Sequence, residues 1–170
     1  IGIDASARST GIVILSPETK PKEILIRPKK LFEGIRLEYI YDTLCDILAE
    51  KLPDLAVMEG ASYYSTNKPF ILGEVYGVCK LALKHYDIPL ILVSPKALKK
   101  YAVNNGNANK EDLIEQANAQ GCLSDKDDIA DAWFASKLAQ DILNGASEVK
   151  TRAAEEVVHR LKESFDAHQL

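Results

Sequence analysis

The sequence predicts an α/β fold: a mixed sheet, its first three strands an antiparallel meander and its later strands parallel, flanked by helices. Three observations lead there. β-rich runs gather before residue 28. Two short apolar runs, residues 55–58 and 89–93, each follow a stretch of helical spacing. Beyond residue 95 the chain keeps helical spacing alone. Strands that alternate with helices pair in parallel through crossover connections, whereas runs separated by a few residues fold back antiparallel.

Residues 1–3 and 10–15 are β-rich and divided by a Ser/Ala/Arg segment, so they form two antiparallel strands joined by a short turn. Glu-Ile-Leu-Ile-Arg at 23–27, bounded by Pro21 and Pro28, is the third strand. Over 32–51 the apolar positions Ile35, Tyr39, Leu44, Ile47 and Leu48 recur at helical spacing, and Pro53 ends that helix. Residues 55–58 read as a buried strand. Residues 69–86 return to helix, with Ile71, Leu72, Val75, Val78, Leu81 and Ala82 as its apolar face, and 89–93 form the fifth strand.

Ser94-Pro95 pairs an N-cap residue with a first-turn proline. Asn104-Asn105-Gly106-Asn107 is a loop, 110–120 a polar helix ending at Gly121, and a further helix runs from Ser124 to the stop at Asn144-Gly145. Residues 147–167 form an amphipathic, charged helix at the periphery. With no internal repeat or linker, one domain spanning 1–170 is the economical reading.

A chain of 170 residues with 46% apolar and 27% charged residues buries an ordinary core and is not disordered. No apolar run approaches the roughly 20 residues that cross a bilayer. Ile1 already falls within a strand and the initiator Met is absent, so the natural start is expected upstream; an intracellular, cytoplasmic protein is the plain reading. Cys45, Cys79 and Cys122 are odd in number, share no ligand spacing and read as free thiols. The net charge of −4 is unevenly divided: residues 1–110 hold 15 basic and 12 acidic side chains, residues 111–170 hold 6 and 13. A basic surface can therefore coexist with the negative total, so the balance permits a nucleic-acid partner without indicating one.

The chemistry gathers on four acids. Asp4 follows a buried strand and precedes Ala-Ser-Ala-Arg-Ser-Thr-Gly; alone, it is equally an aspartate accepting turn hydrogen bonds. Glu59 repeats the arrangement after Leu-Ala-Val-Met, and two strand-end acids on adjacent strands lie close in space. Asp128 and Asp131 stand three apart on one helical face. A Ser124–Asp127 capping box and the helix dipole account for acids in the first turn, but not for Asp131 beside Ile129 and Trp133. Asp127, four residues from Asp131, is an alternative to Asp128. Carboxylates with no His or Cys among them suit a hard cation, Mg²⁺ or Mn²⁺, and two such ions about 4 Å apart can activate water and stabilise the leaving oxygen of a phosphodiester.

Gly-Ile-Asp-Ala-Ser-Ala-Arg-Ser-Thr-Gly at 2–11, the strand ending at Glu59 and Asp-Ile-Ala-Asp-Ala at 128–132 together resemble the RuvC-type Holliday junction resolvases of the RNase H-like superfamily. The likeness runs through Leu98-Lys99 to Asn109-Lys110-Glu111 and covers roughly residues 1–144. It implies an RNase H-like fold and a homodimer that nicks two strands of a four-way DNA junction with Mg²⁺. It places Asp4, Glu59, Asp128 and Asp131 on the family's metal-binding acids, and Lys99 and Lys110 on two DNA-contacting lysines that serve catalysis. Tyr63 and Tyr64 fall one or two positions beyond the family's base-stacking aromatic, where two tyrosines covering the core rim is an equal reading. Lys68, Lys29 and Lys30 are candidate phosphate contacts, although a generic solvated surface explains them as well. Asp4-Ala5-Ser6 stands where the family often has Asp-Pro-Gly, and residues 147–167 lie beyond the likeness; both suit a divergent, bacteriophage member.

Three other readings compete. Sugar kinases and actin-like ATPases share the Gly-Ile-Asp…Thr-Gly loop, but need a second domain and leave the Asp128/Asp131 pair without a purpose. A non-catalytic junction-binding protein would not need all four acids. A related nuclease acting on flaps, forks or RNA would share the same site.

Overall fold

In the computed structural model five strands form one sheet of order β3-β2-β1-β4-β5: β1 (Gly2–Asp4), β2 (Thr10–Ser16), β3 (Thr19–Ile26), β4 (Ala56–Glu59) and β5 (Leu90–Val93). The first three pair antiparallel, and β4 joins β1, and β5 joins β4, in parallel. Six helices complete the chain: α1 (Glu33–Glu50), α2 (Pro69–His85), α3 (Pro95–Val103), α4 (Lys110–Ala119), α5 (Asp127–Asn144) and α6 (Arg152–Ala167). The structure describes residues 1–28, 32–60, 69–145 and 151–167.

Period-two alternation divides the sheet into two apolar faces. Ile3, Ile12, Ile14, Ala56 and Met58 point to one side, against α1 and α2. Val13, Val57 and Val93 point to the other, against α3, α4, α5 and α6. The mixed sheet between helical layers is the fold expected from the order of runs. Cys45, Cys79 and Cys122 are free, the latter two buried. No helix among the described residues is long and apolar enough to cross a membrane.

Four local expectations are corrected. β3 does not begin after Pro21 but runs through it, because β3 is an edge strand and Pro21 sits where the β2–β3 register shifts between Ile14 and Ser16. An edge strand tolerates a residue with no N–H to donate. On α1 the buried stripe is Ile40, Leu44, Ile47 and Leu48, with Ile35 and Tyr39 exposed. On α2 it is Val75, Cys79, Ala82 and Leu83, with Leu81 exposed. In both helices a second apolar stripe competes for the core, and docking onto the sheet selects one. Finally, α5 begins at Asp127 rather than Ser124. The Ser124 hydroxyl accepts instead from the Lys126 N–H at 3.2 Å, so the capping box does not form and Lys126 is the N-cap.

Other ends behave as written in the sequence. Ser94 caps α3 by accepting from the Ala97 N–H at 3.3 Å, and Gly145 ends α5 with φ 71°, the left-handed conformation that favours glycine. On the α5 side, Tyr101 of α3 donates a hydrogen bond to Asp141 of α5 at 2.7 Å, both side chains fully buried. Against this pair of helices α6 buries Ala153, Ala154, Val157 and Val158.

Candidate functional site

The strand ladder decides which acids meet. Asp4 pairs with Gly11 across β1 and β2, and Gly2 pairs with Val57 across β1 and β4. Since Val13 and Val57 face α5, alternation puts Gly2, Asp4, Gly11 and Glu59 on that face as well. Two of these positions admit only hydrogen. A Cβ at Gly2 would lie 2.0 Å from the Ala132 carbonyl oxygen, and one at Gly11 would lie 2.0 Å from that of Asp128. α5 therefore rests directly on the β1–β2 hairpin, with its first turns over the end of β1.

Asp4 and Glu59 are the last residues of β1 and β4; Asp128 and Asp131 lie in the first two turns of α5. Lys99 comes from α3, and Lys110 is the first residue of α4. All six line one open cleft of about 340 Å³, together with Pro95, Leu113, Asp127 and Ala130. Sequence separations of more than 120 residues thus close onto one site.

Its electrostatics are those of acids without enough countercharge. Burial pushes the Asp4 carboxyl well above its ordinary range, and the charges of Asp131, Glu59, Asp128 and Asp127 push it further. Glu59 is raised to about 7, first by burial and then by Asp131, against the opposing pull of Lys99 and Lys110. Asp131 is raised to about 6, again mainly by burial, with the same two lysines pulling down. Its Oδ1 is buried without a hydrogen-bond partner.

The lysines are held in different ways. Lys99 Nζ donates to the Ala108 carbonyl at 2.7 Å, which fixes it beside the cleft while leaving its charge to act on Glu59 and Asp131. Lys110 pairs with Asp127, and this contact holds the Asp127 carboxyl below the usual range. Asp127 is therefore committed to a lysine at the rim.

Could these residues hold divalent ions? The described His, Cys, Asp and Glu side chains include no group of three already gathered as a cage for one ion. The donor set nevertheless fits: it is all oxygen, it includes a buried oxygen with no partner, and it carries repulsion that a cation would offset. Asp4, Glu59, Asp128 and Asp131 are the candidate ligands.

Three contributors were not singled out in the sequence. Gly2 and Gly11 admit α5, and their signal was available: small residues on neighbouring strands, one opposite Asp4, mark close approach of another element. Tyr76 of α2 donates to the Glu59 carbonyl oxygen at 2.6 Å, and its hydroxyl is held in the protonated form by burial and by the nearby acids. No spacing in the sequence signals that contact. Tyr63, Tyr64, Lys68, Lys29 and Lys30 lie outside the described residues.

No family model matches the chain. Curated relatives do. The crossover junction endodeoxyribonuclease RuvC of Hydrogenovibrio crunogenus is 31% identical over 150 residues, covering 83% of this chain and 86% of the relative. That of Dictyoglomus thermophilum is 28% identical over 141 residues, covering 78% and 89%. Among solved structures, Thermus thermophilus RuvC in complex with Holliday junction substrate matches with a TM-score of 0.68 over 86% of this chain and 96% of that one; at 17% identity it shows a common fold. By its sequence relatives, and with a fold to match, the chain belongs to the RuvC family of crossover junction endodeoxyribonucleases.

Proposed function

We propose that this chain is a divalent-metal-dependent endonuclease that nicks four-way DNA junctions, with Mg²⁺ as its ion and Mn²⁺ able to substitute. The observation that carries the reading is the cleft in which the carboxyl groups of Asp4, Glu59, Asp128 and Asp131, from three separate elements, crowd together with two lysines, one Asp131 oxygen buried without a partner. The names of the relatives, and the junction bound to the Thermus protein, support the substrate class.

Asp4, Glu59, Asp128 and Asp131 would hold the ions, whose chemistry is to activate a water and stabilise the leaving oxygen. Asp4, at the centre of the four, is the natural shared ligand. Lys110 and Lys99 offset charge that develops on the phosphoryl oxygens. Asp127 holds Lys110 at the rim until a phosphate competes for it. Tyr76 fixes the backbone of Glu59, and so the direction of its side chain.

A homodimer is part of the proposal. α1 and α2 pack on each other, yet leave Phe32, Ile35, Phe70 and Leu81 in solvent, Phe70 being 86% exposed. Large apolar side chains left in solvent suit burial against a second copy. Incubation with an immobile synthetic junction, with and without Mg²⁺, tests the activity, and flap, fork and RNA duplex substrates test selectivity. Paired nicks in opposing junction strands support the reading; cleavage of the other substrates in preference overturns its junction selectivity.

A further inference from the structure

The face of α3 turned away from the acidic cleft borders a second depression. Ser94, Lys96 and Lys100 of the α3 segment form one wall, Asn107 lies at one end, and Arg160 of α6 stands opposite; the depression is open and holds about 520 Å³. Ala97 and Val157, both buried, form an apolar floor between the two helices. The loop can lie this close because Gly106 has no side chain: a Cβ there would be 3.1 Å from the Lys96 carbonyl oxygen.

The charge of this groove is positive. Its one acid, Glu156, is shared between Lys100 at 2.9 Å and Arg152 at 3.2 Å. Lys96 and Arg160 are exposed, and no ion pair to either is found among the described residues. Lys100 is fixed by Glu156, so the groove combines one immobilised cation with two that face solvent.

Position sets the partner. α3 is the ridge between cleft and groove: Pro95 and Lys99 line one side, Lys96 and Lys100 the other. A helix with its side chains is about 10–12 Å across. A nucleic-acid strand leaving the cleft reaches the groove within about three nucleotides at ~3.4 Å of axial rise each. Cationic walls suit phosphates, which position a duplex without specifying its sequence. A protein partner would find little apolar surface here, since the floor is narrow and already covered by its own walls.

We infer that the groove between α3 and α6, through Lys96, Lys100 and Arg160, holds the phosphodiester backbone of a DNA arm leaving the acidic cleft. The inference rests on the junction-nuclease reading above and extends it: α6 is then part of the DNA surface as well as a brace for α3 and α5.

The test is equilibrium binding of the full chain to a four-way junction in EDTA across a salt series, comparing wild type with Lys96→Gln/Arg160→Gln. A control pair, Lys20→Gln/Lys51→Gln, removes the same charge from two exposed lysines at the start of β3 and just beyond α1. Loss of two phosphate contacts should weaken binding roughly tenfold at low salt and lower the slope of log K against log salt by about 1.8, with the control pair unchanged. Equal affinity and slope in the groove variant overturn the inference, as does an equal change in the control pair, which would make the effect one of total charge. If the wild type nicks no junction in Mg²⁺ and binds none, the underlying reading fails, and this inference with it. Unfolding midpoints of the variants check that the fold is intact.

Discussion

The backbone of Asp128 occupies the space where a side chain on Gly11 would be: a Cβ at Gly11 lies 2.0 Å from the Asp128 carbonyl oxygen. Gly11 is also the partner of Asp4 in the β1–β2 ladder. One missing side chain thus sets how closely two candidate ligands approach. Gly11→Ala should force α5 away from the hairpin, at a cost of about 1–3 kcal/mol by overpacking. Gly34→Ala, where a Cβ meets nothing within 4 Å, is the control. Urea denaturation measures the difference, and the folded fraction of Gly11→Ala should cut junctions poorly because its acids no longer converge.

The two neighbouring aspartates should separate cleanly. Asp128→Asn is expected to abolish cleavage as Asp4→Asn does, with junction binding kept. Asp127→Asn breaks the pair with Lys110, a surface contact worth about 0–1 kcal/mol, so the rate should change less than about fivefold. Single-turnover cleavage compares them, and an Asp127 variant as inactive as Asp4→Asn would move the ligand assignment to Asp127.

Lys99→Ala and Lys110→Ala should each lower the cleavage rate on the order of 100-fold, the usual cost of removing one group that stabilises transition-state charge. Each should also reduce the salt slope of junction binding by about 1. A rate loss with an unchanged slope would mean that the lysine acts within the cleft without touching a phosphate.

Proton linkage gives a prediction for stability. Glu59 at about 7 lies above its ordinary 4.5, and Asp131 at about 6 above 3.8, so the folded protein holds protons that the unfolded chain has released. Their stabilising contribution is complete below about pH 4 and is lost as pH rises through about 7. Without metal, the protein should therefore unfold at a lower temperature at pH 8 than at pH 5. Divalent ions reverse this by taking the place of the protons, so Mg²⁺ should raise Tm by several degrees at pH 8 and little at pH 5. Thermal unfolding with and without Mg²⁺ measures both, and Asp4→Asn should show a smaller Mg²⁺ effect.

The strand and helix order was legible because strand alternation and crossover helices leave a periodic trace, and the strand-end positions of Asp4 and Glu59 followed from it. Asp131 was legible because capping could not account for an acid so deep in its helix. The phase of α1 was not, since Ile35 and Ile40 belong to rival stripes and only contact with the sheet chooses between them. The start of α5 is not encoded locally, because Ser124 can cap a helix or close a turn, and here it closes a turn. The commitment of Asp127 to Lys110 was likewise out of reach: it depends on how α4 meets α5, which no local spacing encodes.

Asp4 and its three partners are proposed to hold the ions that cut a junction. Nicking of an immobile four-way junction, end-labelled on each strand in turn, tests this most directly in wild type and Asp4→Asn, with Mg²⁺ and with EDTA. The wild type with Mg²⁺ should give paired nicks at symmetric positions in two opposing strands, and none in EDTA. Asp4→Asn should give none in either condition while still retarding the junction on a gel. Nicks in EDTA, or undiminished cleavage by Asp4→Asn, would contradict this proposal.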